Sequence, residues 1–434
     1  MQTEANTGAL RESPGGVPAE DLTGSAVEVV GGNWVPGRGG YYADDLVAIQ
    51  QGAHADGQFY VGDPVTPGHP AVRSASATLS VGLRTASGGL SWGDVCTPQY
   101  SGFGGRDLPI DPLLHGPDAE KAIAALAAAG SLTFEHGCSV LEDLHIDGRP
   151  LHTGIRYGVS QALLGLIASA AGAAPAQLLA QLLGRDELRP VPLYSQSGED
   201  RYRGVDKMIM KRVEVLPHGL INSPALFGDN GSVFLEYATW VHDRVLEFGD
   251  SDYRPTLHFD VYGLLGREMG SSTEKMLDFC GRLADLCRPL RIQLEAPIYG
   301  ASGEETRERL ATLHTALRDR AIPVALVADD WCNGIEDITS FARSGAVDLI
   351  QLKMPDLGSL TNALTAARVC REHAIGVFIG GSCTETEVSA RYSAHLALAV
   401  GADQVLAKPG MGVDEGVLVV GNEMSRVLTT TQQG

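Results

Sequence analysis

The C-terminal part of the chain alternates short apolar runs with segments of helical spacing, and this alternation constrains the fold more than any other feature. Apolar runs of strand length occupy residues 191–196, 208–216, 256–261, 291–295, 324–329, 348–353, 376–379 and 404–407. From the third run on, a segment with an apolar helical stripe follows most of them, as in residues 273–287 and 304–321. About eight strands alternating with helices over roughly 240 residues predict an α/β fold, a (β/α)8 TIM-type barrel. The alternative is an open doubly wound sheet, although no run is followed by a convincing dinucleotide-binding fingerprint.

A polar break at residues 186–190 divides the chain of 434 residues, a length that suggests two domains. Residues 187–434 would form the barrel. Residues 22–186, in which β-like runs with Gly/Pro turns precede helical segments, would form a separate α+β domain. Residues 1–21 are polar, acidic and rich in Gly and Pro, so we expect a disordered tail rather than a signal or transit peptide.

The composition argues against several functional classes. A formal net charge of −20 and a pI near 5.0 oppose a nucleic-acid or anionic-membrane partner. No apolar run approaches the ~18–20 residues that a membrane span requires. The seven cysteines contain no CxxC pair, which opposes a thiolate zinc site, and their scattered positions suit a reducing compartment. We therefore expect a cytoplasmic protein with a small-molecule partner.

Polar side chains lie at the ends of the predicted strands, where the chemistry of such a barrel gathers. In chain order they are Gln196, His218, Asp260, Glu295, Asp329, Lys353, Ser382 and Cys383. The carboxylates Asp260, Glu295 and Asp329 end three consecutive strands and would repel one another unless a cation lay between them. Oxygen ligands, one carboxylate per strand, favour Mg²⁺ or Mn²⁺. The alternative is that each acid caps the helix that follows it.

Two possible bases flank these acids. Lys353 ends the strand after Asp329 and shares a face with Gln351; beside an apolar strand its pKa would fall, as a lysine base requires. His218 ends a strand on the other side of the carboxylates. A metal between two bases suits proton abstraction beside a substrate carboxylate, because the metal stabilises the enolate-like dianion that forms. The alternatives are a surface lysine that closes a strand and a hydrogen-bonded structural histidine.

Longer motifs carry a resemblance to a known family. They are QYSGFGGRD at residues 99–107, QSGEDRY at 196–202, VDKMI at 205–209, HFDVYG at 258–263, VADDWCN at 327–333, QLKMPDLG at 351–358, GGSCTE at 380–385 and LAKPGMGVDEG at 406–416. From about residue 95 to residue 428 the chain thus resembles the methylaspartate ammonia-lyase family of the enolase superfamily.

The resemblance implies a carbon–nitrogen lyase that reversibly eliminates ammonia from (2S,3S)-3-methylaspartate to give mesaconate, with Mg²⁺ and an activating K⁺. It implies that Lys353 removes the C3 proton and that His218 is the base on the opposite face. It also assigns the magnesium ligands Asp260, Glu295 and Asp329, and the substrate contacts Gln196, Gln351, Ser382, Cys383 and, from an N-terminal capping domain, Gln99. The family is usually homodimeric. Ser382 stands where threonine is usual and Asp330 where glutamate is usual.

Strand alternation directs the side chains of Tyr194, Phe378 and Leu406 to the same interior as these polar residues. They would form a pocket for the substrate's methyl group, the alternative being ordinary barrel-core packing. Three other interpretations of the whole chain stay open. The first is another enolase-superfamily reaction, by a racemase, dehydratase or cycloisomerase acting on a carboxylate substrate. The others are a non-catalytic barrel scaffold and a glycosidase-like pair of carboxylates.

Overall fold

The computed structural model describes residues 21–432, so nearly all of the predicted tail, residues 1–20, lies outside the described residues. The N-terminal strands are β1 Ala26–Asp44, β2 His54–Asp56, β3 Phe59–Val61, β4 Arg73–Thr85, β5 Leu90–Val95, β6 Ser131–Thr133, β7 His145–Ile146 and β8 Arg149–Pro150. The helices of this part are α1 Leu46–Gln50, α2 Pro112–Ala128, α3 Phe134–Glu142, α4 Thr153–Ala170 and α5 Pro175–Leu182.

The N-terminal part is an antiparallel sheet covered by helices. The sheet has the strand order β5-β4-β1-β6. Helix α4 packs tightly against β5 because two glycines meet there: a Cβ on Gly93 would lie 2.1 Å from the carbonyl oxygen of Gly158. The same helix contacts the barrel, where the Tyr157 hydroxyl donates a 2.8 Å hydrogen bond to Glu385 Oε2. This part therefore caps the barrel, as predicted.

Within residues 21–432, eight parallel strands close into a barrel in chain order, which confirms the predicted (β/α)8 fold. The strands are β9 Leu193–Tyr194, β10 Val215–His218, β11 Thr256–Asp260, β12 Ile292–Glu295, β13 Val324–Ala328, β14 Leu349–Leu352, β15 Gly376–Ile379 and β16 Gln404–Leu406. Leu406 of β16 pairs with Tyr194 of β9 and closes the ring.

Helices surround this barrel. They are α6 Arg201–Met210, α7 Pro224–Phe227, α8 Ser232–Phe248, α9 Leu264–Glu268, α10 Thr273–Leu286, α11 Gly303–Asp319, α12 Ile335–Ser344, α13 Met354–Leu357, α14 Leu360–Glu372, α15 Glu387–Val400, α16 Val413–Gly416 and α17 Asn422–Gln432. The predicted strand at residues 208–216 is wrong at its start. Met208 and Ile209 belong to the last turn of the amphipathic helix α6, and their apolar side chains stand close enough in sequence to β10 to resemble the start of the strand.

The lower, amino-terminal ends of the strands are held by acids. Asp348 accepts a hydrogen bond from the Leu326 N–H at 2.8 Å, and Asp403 accepts one from the Val377 N–H at 2.7 Å. These bonds satisfy backbone donors at the bottom of the barrel and help to fix strand register. The predicted site residues lie at the opposite, carboxyl ends of the strands.

None of the helices within residues 21–432 is by itself long and apolar enough to cross a membrane. Helices α4 and α5 together would reach that length, but they meet at an angle of 100°.

Candidate active site

A cavity lies between the carboxyl ends of the barrel strands and the loop at residues 99–107 of the capping domain. Every predicted site residue except Ser382 lines it: Gln99, Tyr194, Gln196, His218, Asp260, Glu295, Asp329, Gln351, Lys353, Phe378, Cys383 and Leu406. Ser382 lies beside the cavity, with its hydroxyl 3.5 Å from Gln99 Oε1. The structure thus brings the predicted residues together, and their individual roles remain predictions.

The acids Asp260 and Glu295 are direct cross-strand partners at the ends of β11 and β12. Burial, reinforced by the charge of Asp260, raises the pKa of Glu295 to about 8. Of the described residues, His218, Asp260 and Glu295 each offer an atom within 4.8 Å of the others, and Asp329 does not belong to this group. Instead, Asp329 is paired with a lysine.

Lys353 follows β14 and is buried, with its Nζ 2.5 Å from Asp329 Oδ1 and 3.9 Å from Asp330 Oδ1. Burial alone would lower the pKa of Lys353, but the carboxylates of Asp329, Asp330 and Asp356 together outweigh burial and the pKa is raised. The expectation of a lowered pKa is therefore wrong for this state of the molecule. The interpretation as an exposed lysine that closes a strand is also wrong, because the side chain is only 7% exposed.

His218 ends β10 inside the cavity rather than on the surface. Its Nδ1 accepts a hydrogen bond from the Leu220 N–H at 3.3 Å. Its Nε2 lies 3.4 Å from Asp260 Oδ2 and 3.5 Å from the Tyr262 hydroxyl. The ring therefore presents Nε2 toward the acids and the cavity, where it is able to exchange a proton.

The backbone is strained where successive strands reach this rim. A residue with left-handed φ follows or ends four neighbouring strands: His218 at +69°, Tyr262 at +48°, Ala296 at +46° and Trp331 at +67°. Non-glycine residues adopt this conformation only at a cost of about 1–3 kcal/mol each, and such residues concentrate at functional sites. The strain turns each loop sharply away from the strand end and leaves the carboxylates open to the cavity.

Glu295 is held by two neighbours, one of which the sequence analysis missed. Gln351 Nε2 donates to Glu295 Oε1, and His258 Nε2 lies 2.8 Å from Glu295 Oε2. His258 stands two residues before Asp260 on β11 and points into the barrel like it. That strand alternation is the signal in the sequence that would have found it.

The capping domain completes the site through residues of the glycine-rich segment 99–107. Gln99 Oε1 accepts a hydrogen bond from the Cys383 thiol at 2.8 Å. Burial raises the pKa of Cys383 well above its usual range, so the thiol keeps its proton and acts as the donor. A side chain from the first hundred residues thereby reaches a loop of the barrel that carries predicted substrate contacts.

Arg106 of the same segment is the second residue that sequence reasoning missed. Its guanidinium is fully buried and bonds Asp330 Oδ1 at 2.6 Å, Asp356 Oδ2 at 2.6 Å and Asn333 Oδ1 at 2.7 Å. The motif that contains Arg106 was evident in the sequence, but nothing there revealed which acids it meets. This arginine locks the capping segment onto the loops beside Asp329.

The three side chains of the predicted methyl pocket lie together. Tyr194, Phe378 and Leu406 form one buried cluster with Val215, Val327 and Leu349. The first three also line the cavity, whereas Leu349 does not. The arrangement is compatible with a methyl pocket and with barrel-core packing, and both interpretations stay open.

The closed parallel barrel, the buried acids and bases at its carboxyl rim and the cap above them are features of a (β/α)8-barrel enzyme. Residues 187–433 match the family described as methylaspartate ammonia-lyase C-terminus, and residues 28–184 match the family described as methylaspartate ammonia-lyase N-terminus. The chain belongs to the methylaspartate ammonia-lyase family, and it is a carbon–nitrogen lyase.

Similar proteins cover almost the whole chain. Methylaspartate ammonia-lyase 1 of Carboxydothermus hydrogenoformans is 40% identical over 405 residues, which are 92% of this chain and 96% of the relative. A magnesium complex of β-methylaspartase from Clostridium tetanomorphum superposes with a TM-score of 0.88 at 38% identity, covering 94% of this chain and 99% of that one. The Citrobacter amalonaticus enzyme containing (2S,3S)-3-methylaspartic acid superposes with a TM-score of 0.89 at 37% identity, covering 93% and 100%.

Proposed function

We propose that this enzyme reversibly eliminates ammonia from (2S,3S)-3-methylaspartate to give mesaconate. One observation supports the proposal most directly: Lys353 and His218, two side chains able to take a proton, line one buried cavity. Around the barrel, the strands that end at Asp260, Glu295 and Asp329 lie between the strands of these two bases. The similar enzyme from Citrobacter amalonaticus, which contains (2S,3S)-3-methylaspartic acid, supports the choice of substrate.

In the proposed reaction Lys353 takes the proton from C3 of the substrate. The electron pair of that bond forms the C2=C3 double bond, the C2–N bond breaks, and ammonia leaves. A lysine acts as a base only as a neutral amine, whereas Lys353 is ion-paired with Asp329 in the structure. The pair must therefore open, and the ammonium must lose its proton, before each turnover.

Asp260, Glu295 and Asp329 would hold Mg²⁺, or Mn²⁺ in its place. All three are buried, and burial raises the pKa of Glu295 to about 8 and raises the pKa of Asp329 as well. Such carboxylates are stable as anions only beside positive charge, and oxygen donors are the ligands that these ions prefer. When bound, the cation would polarise the substrate carboxylate next to C3 and so make the C3 proton more acidic.

The remaining contacts would orient the substrate. Gln196 Oε1 is buried without a hydrogen-bond partner among the described residues, so a substrate ammonium would satisfy it. Ser382 and Cys383, whose side chains meet Gln99, would bind the substrate's polar groups together with that glutamine. Gln351, which donates to Glu295, lies beside the same cavity wall.

The direct test is mesaconate formation, followed by its ultraviolet absorbance, with purified protein, Mg²⁺ and (2S,3S)-3-methylaspartate. We expect a chelator to abolish the activity, Mg²⁺ to restore it and K⁺ to increase it. A folded protein that forms no mesaconate with both ions present would contradict the proposal and favour another superfamily reaction or a scaffold role. The proposal includes a cytoplasmic homodimer, and sedimentation equilibrium tests its mass.

Two alanine variants separate the roles of the bases. Lys353→Ala is expected to abolish deuterium exchange at C3 of the (2S,3S) substrate and to lower its kcat by about 10²–10⁴-fold, because the general base is gone. His218→Ala is expected to harm mainly the (2S,3R) diastereomer. Circular dichroism serves as the control for folding. A His218→Ala enzyme that handles (2S,3R) as well as the wild type does would contradict the two-base assignment.

A further inference from the structure

We propose that His258 is a positioning residue that orients the carboxylate of Glu295 for metal binding, an inference that rests on the metal site of the proposed function. The imidazole is completely buried one layer below the acids. It is the cross-strand partner of Gln293 on β12, and its Nε2 lies 2.8 Å from Glu295 Oε2.

The two oxygens of Glu295 have separate protein partners. Oε1 accepts from Gln351 Nε2, and Oε2 meets His258 Nε2. Each carboxylate oxygen accepts two hydrogen bonds or ligand bonds, so one position on each oxygen stays open toward the cavity. A carboxylate held at both oxygens cannot rotate, and it offers its open positions to a cation in one orientation.

The histidine itself is held on its other sides. Its Nδ1 lies 3.0 Å from Gln404 Nε2 and 2.7 Å from Gln293 Oε1. Nδ1 therefore has a hydrogen-bond partner in either protonation state, because the Gln404 amide can donate to it and the Gln293 oxygen can accept from it. The ring of Tyr194 stacks on the imidazole with centroids 4.4 Å apart and planes 23° apart. Phe378 approaches it at 5.7 Å in an edge arrangement.

The protonation of the ring follows from these contacts. An ionised Glu295 only accepts hydrogen bonds, so Nε2 carries a proton and donates it to Oε2, while Nδ1 faces the side-chain amides of Gln404 and Gln293. The contact is therefore a directed hydrogen bond to a carboxylate.

Packing alone does not account for a polar group at this depth. Neighbouring interior positions are filled by the apolar side chains of Val327, Leu349 and Phe378. A buried imidazole with two glutamines needs every hydrogen bond satisfied, and an apolar side chain would avoid that requirement. Partners that hold a ligating side chain by hydrogen bonds commonly change metal affinity by about 10–100-fold when removed.

The variants His258→Gln and His258→Asn form a matched pair. Both keep an amide in the polar layer, but only the longer glutamine places an N–H where Nε2 lies. Mg²⁺ binding is measured by isothermal titration calorimetry without substrate, and metal-free melting temperatures show whether the fold is intact. We expect His258→Asn to weaken Mg²⁺ binding by about 10–100-fold, and His258→Gln to stay within about threefold of the wild type.

Turnover provides a second readout. The kcat of His258→Asn is expected to recover as Mg²⁺ is raised to saturation, which a general loss of folding would not allow. Equal Mg²⁺ affinity of both variants, whether unchanged or equally weakened, would overturn the role of His258 and leave the proposed function standing. A wild-type protein that binds no Mg²⁺ in the same titration would overturn the metal site together with this inference.

Discussion

Several residues at the rim of the barrel carry buried charges, and each charge is stabilised by a specific ion-pair partner. Asp329 is neutralised by Lys353, and Asp330 by Arg106. Burial would raise the pKa of Asp330, but Arg106, Lys353 and the hydrogen bond from Tyr299 together offset it and the pKa is lowered. Adjacent acids in the chain have opposite pKa shifts: burial and the charges of Asp330 and Glu295 outweigh Lys353 and raise the pKa of Asp329, whereas the pKa of Asp330 is lowered.

The residues that strand alternation could predict are those at strand ends. Asp260, Glu295 and Lys353 were found because a parallel barrel brings the carboxyl ends of all its strands to one rim. Arg106 could not be found in this way, since it meets Asp330 across a separation of 224 residues. The pKa direction of Lys353 was wrong for the same reason, because burial was visible in the pattern and the 2.5 Å approach of Asp329 was not.

Leu406→Ala tests the methyl pocket. If the side chain contacts the substrate's methyl group, the ratio of kcat/KM for 3-methylaspartate to that for aspartate should fall by about 10-fold or more. The measurement is the two steady-state rates on the same preparation. Leu349→Ala is the matched control, since it removes the same atoms from the same cluster away from the cavity. An unchanged ratio in Leu406→Ala would favour plain core packing.

At the scale of elements, the loop at residues 99–107 contributes side chains to the candidate site, whereas the lower ends of the strands contribute to the stability of the barrel. The loop brings Gln99 and Arg106 to the rim from another domain. The lower ends use Asp348 and Asp403 to satisfy backbone donors. Strand positions were predicted closely where a buried strand stood alone, as at β15, which matches the predicted residues 376–379. The start of β10 was missed because a helix with a buried stripe ends only a few residues before it.

Arg106→Met should be severely destabilising. The variant leaves Asp330 and Asp356 buried without their cation, which costs about 3–5 kcal/mol of unfolding free energy. Denaturant unfolding measures this, and mesaconate formation should fall as the cap loosens. Arg189→Met is the control, because its ion pair with Glu187 is exposed to solvent and contributes little to stability. Equal stability of the two variants would show that the buried pairs do not hold the loop.

Asp348→Asn tests the lower end of the barrel and its pH dependence. Burial would raise the pKa of Asp348, but the approach of His314 Nε2 to 3.1 Å and the hydrogen bond from the Leu326 N–H, with the charge of Arg318, outweigh it and the pKa is lowered. A lowered carboxyl pKa stabilises the fold above its unfolded value of about 3.9 and loses that effect as pH falls below it.

The variant should therefore unfold about 1–2 kcal/mol more easily at pH 7, and the difference should shrink near pH 3. Denaturant titrations at the two pH values check this. Asp319→Asn, an exposed acid at the end of α11, should change nothing at either pH. A difference that persists at pH 3 would mean that the charge of Asp348 is not what stabilises the strand.

At the scale of the whole molecule, the cap and the barrel are joined by buried polar contacts in addition to a shared apolar core. Tyr157 bonds Glu385, and Arg106 reaches three side chains of the barrel loops. Breaking such contacts exposes charges that each domain cannot satisfy alone. The barrel layout was predictable from the alternating pattern, but this joint was not, because each of its contacts pairs residues far apart in the chain.

The joint predicts that both domains unfold in one transition. Trp34 and Trp92 belong to the cap, and Trp240 and Trp331 to the barrel. A double Trp→Phe variant of either pair leaves fluorescence that reports on the other domain alone. The two denaturant midpoints are expected to coincide, each measured against its own circular dichroism curve. A cap transition at clearly lower denaturant would show that the domains are only loosely coupled.

The hydrogen bond between Gln99 and Cys383 has a practical consequence for altering substrate range. Gln99 and Cys383, which both line the cavity, are separated by 284 residues in the chain. Mutagenesis of a single loop therefore never varies both positions together. A library of variants confined to the barrel would change the barrel side of the cavity and leave the cap side, which includes Gln99, unchanged. Pairwise randomisation across both halves of the gene is the search that this architecture calls for.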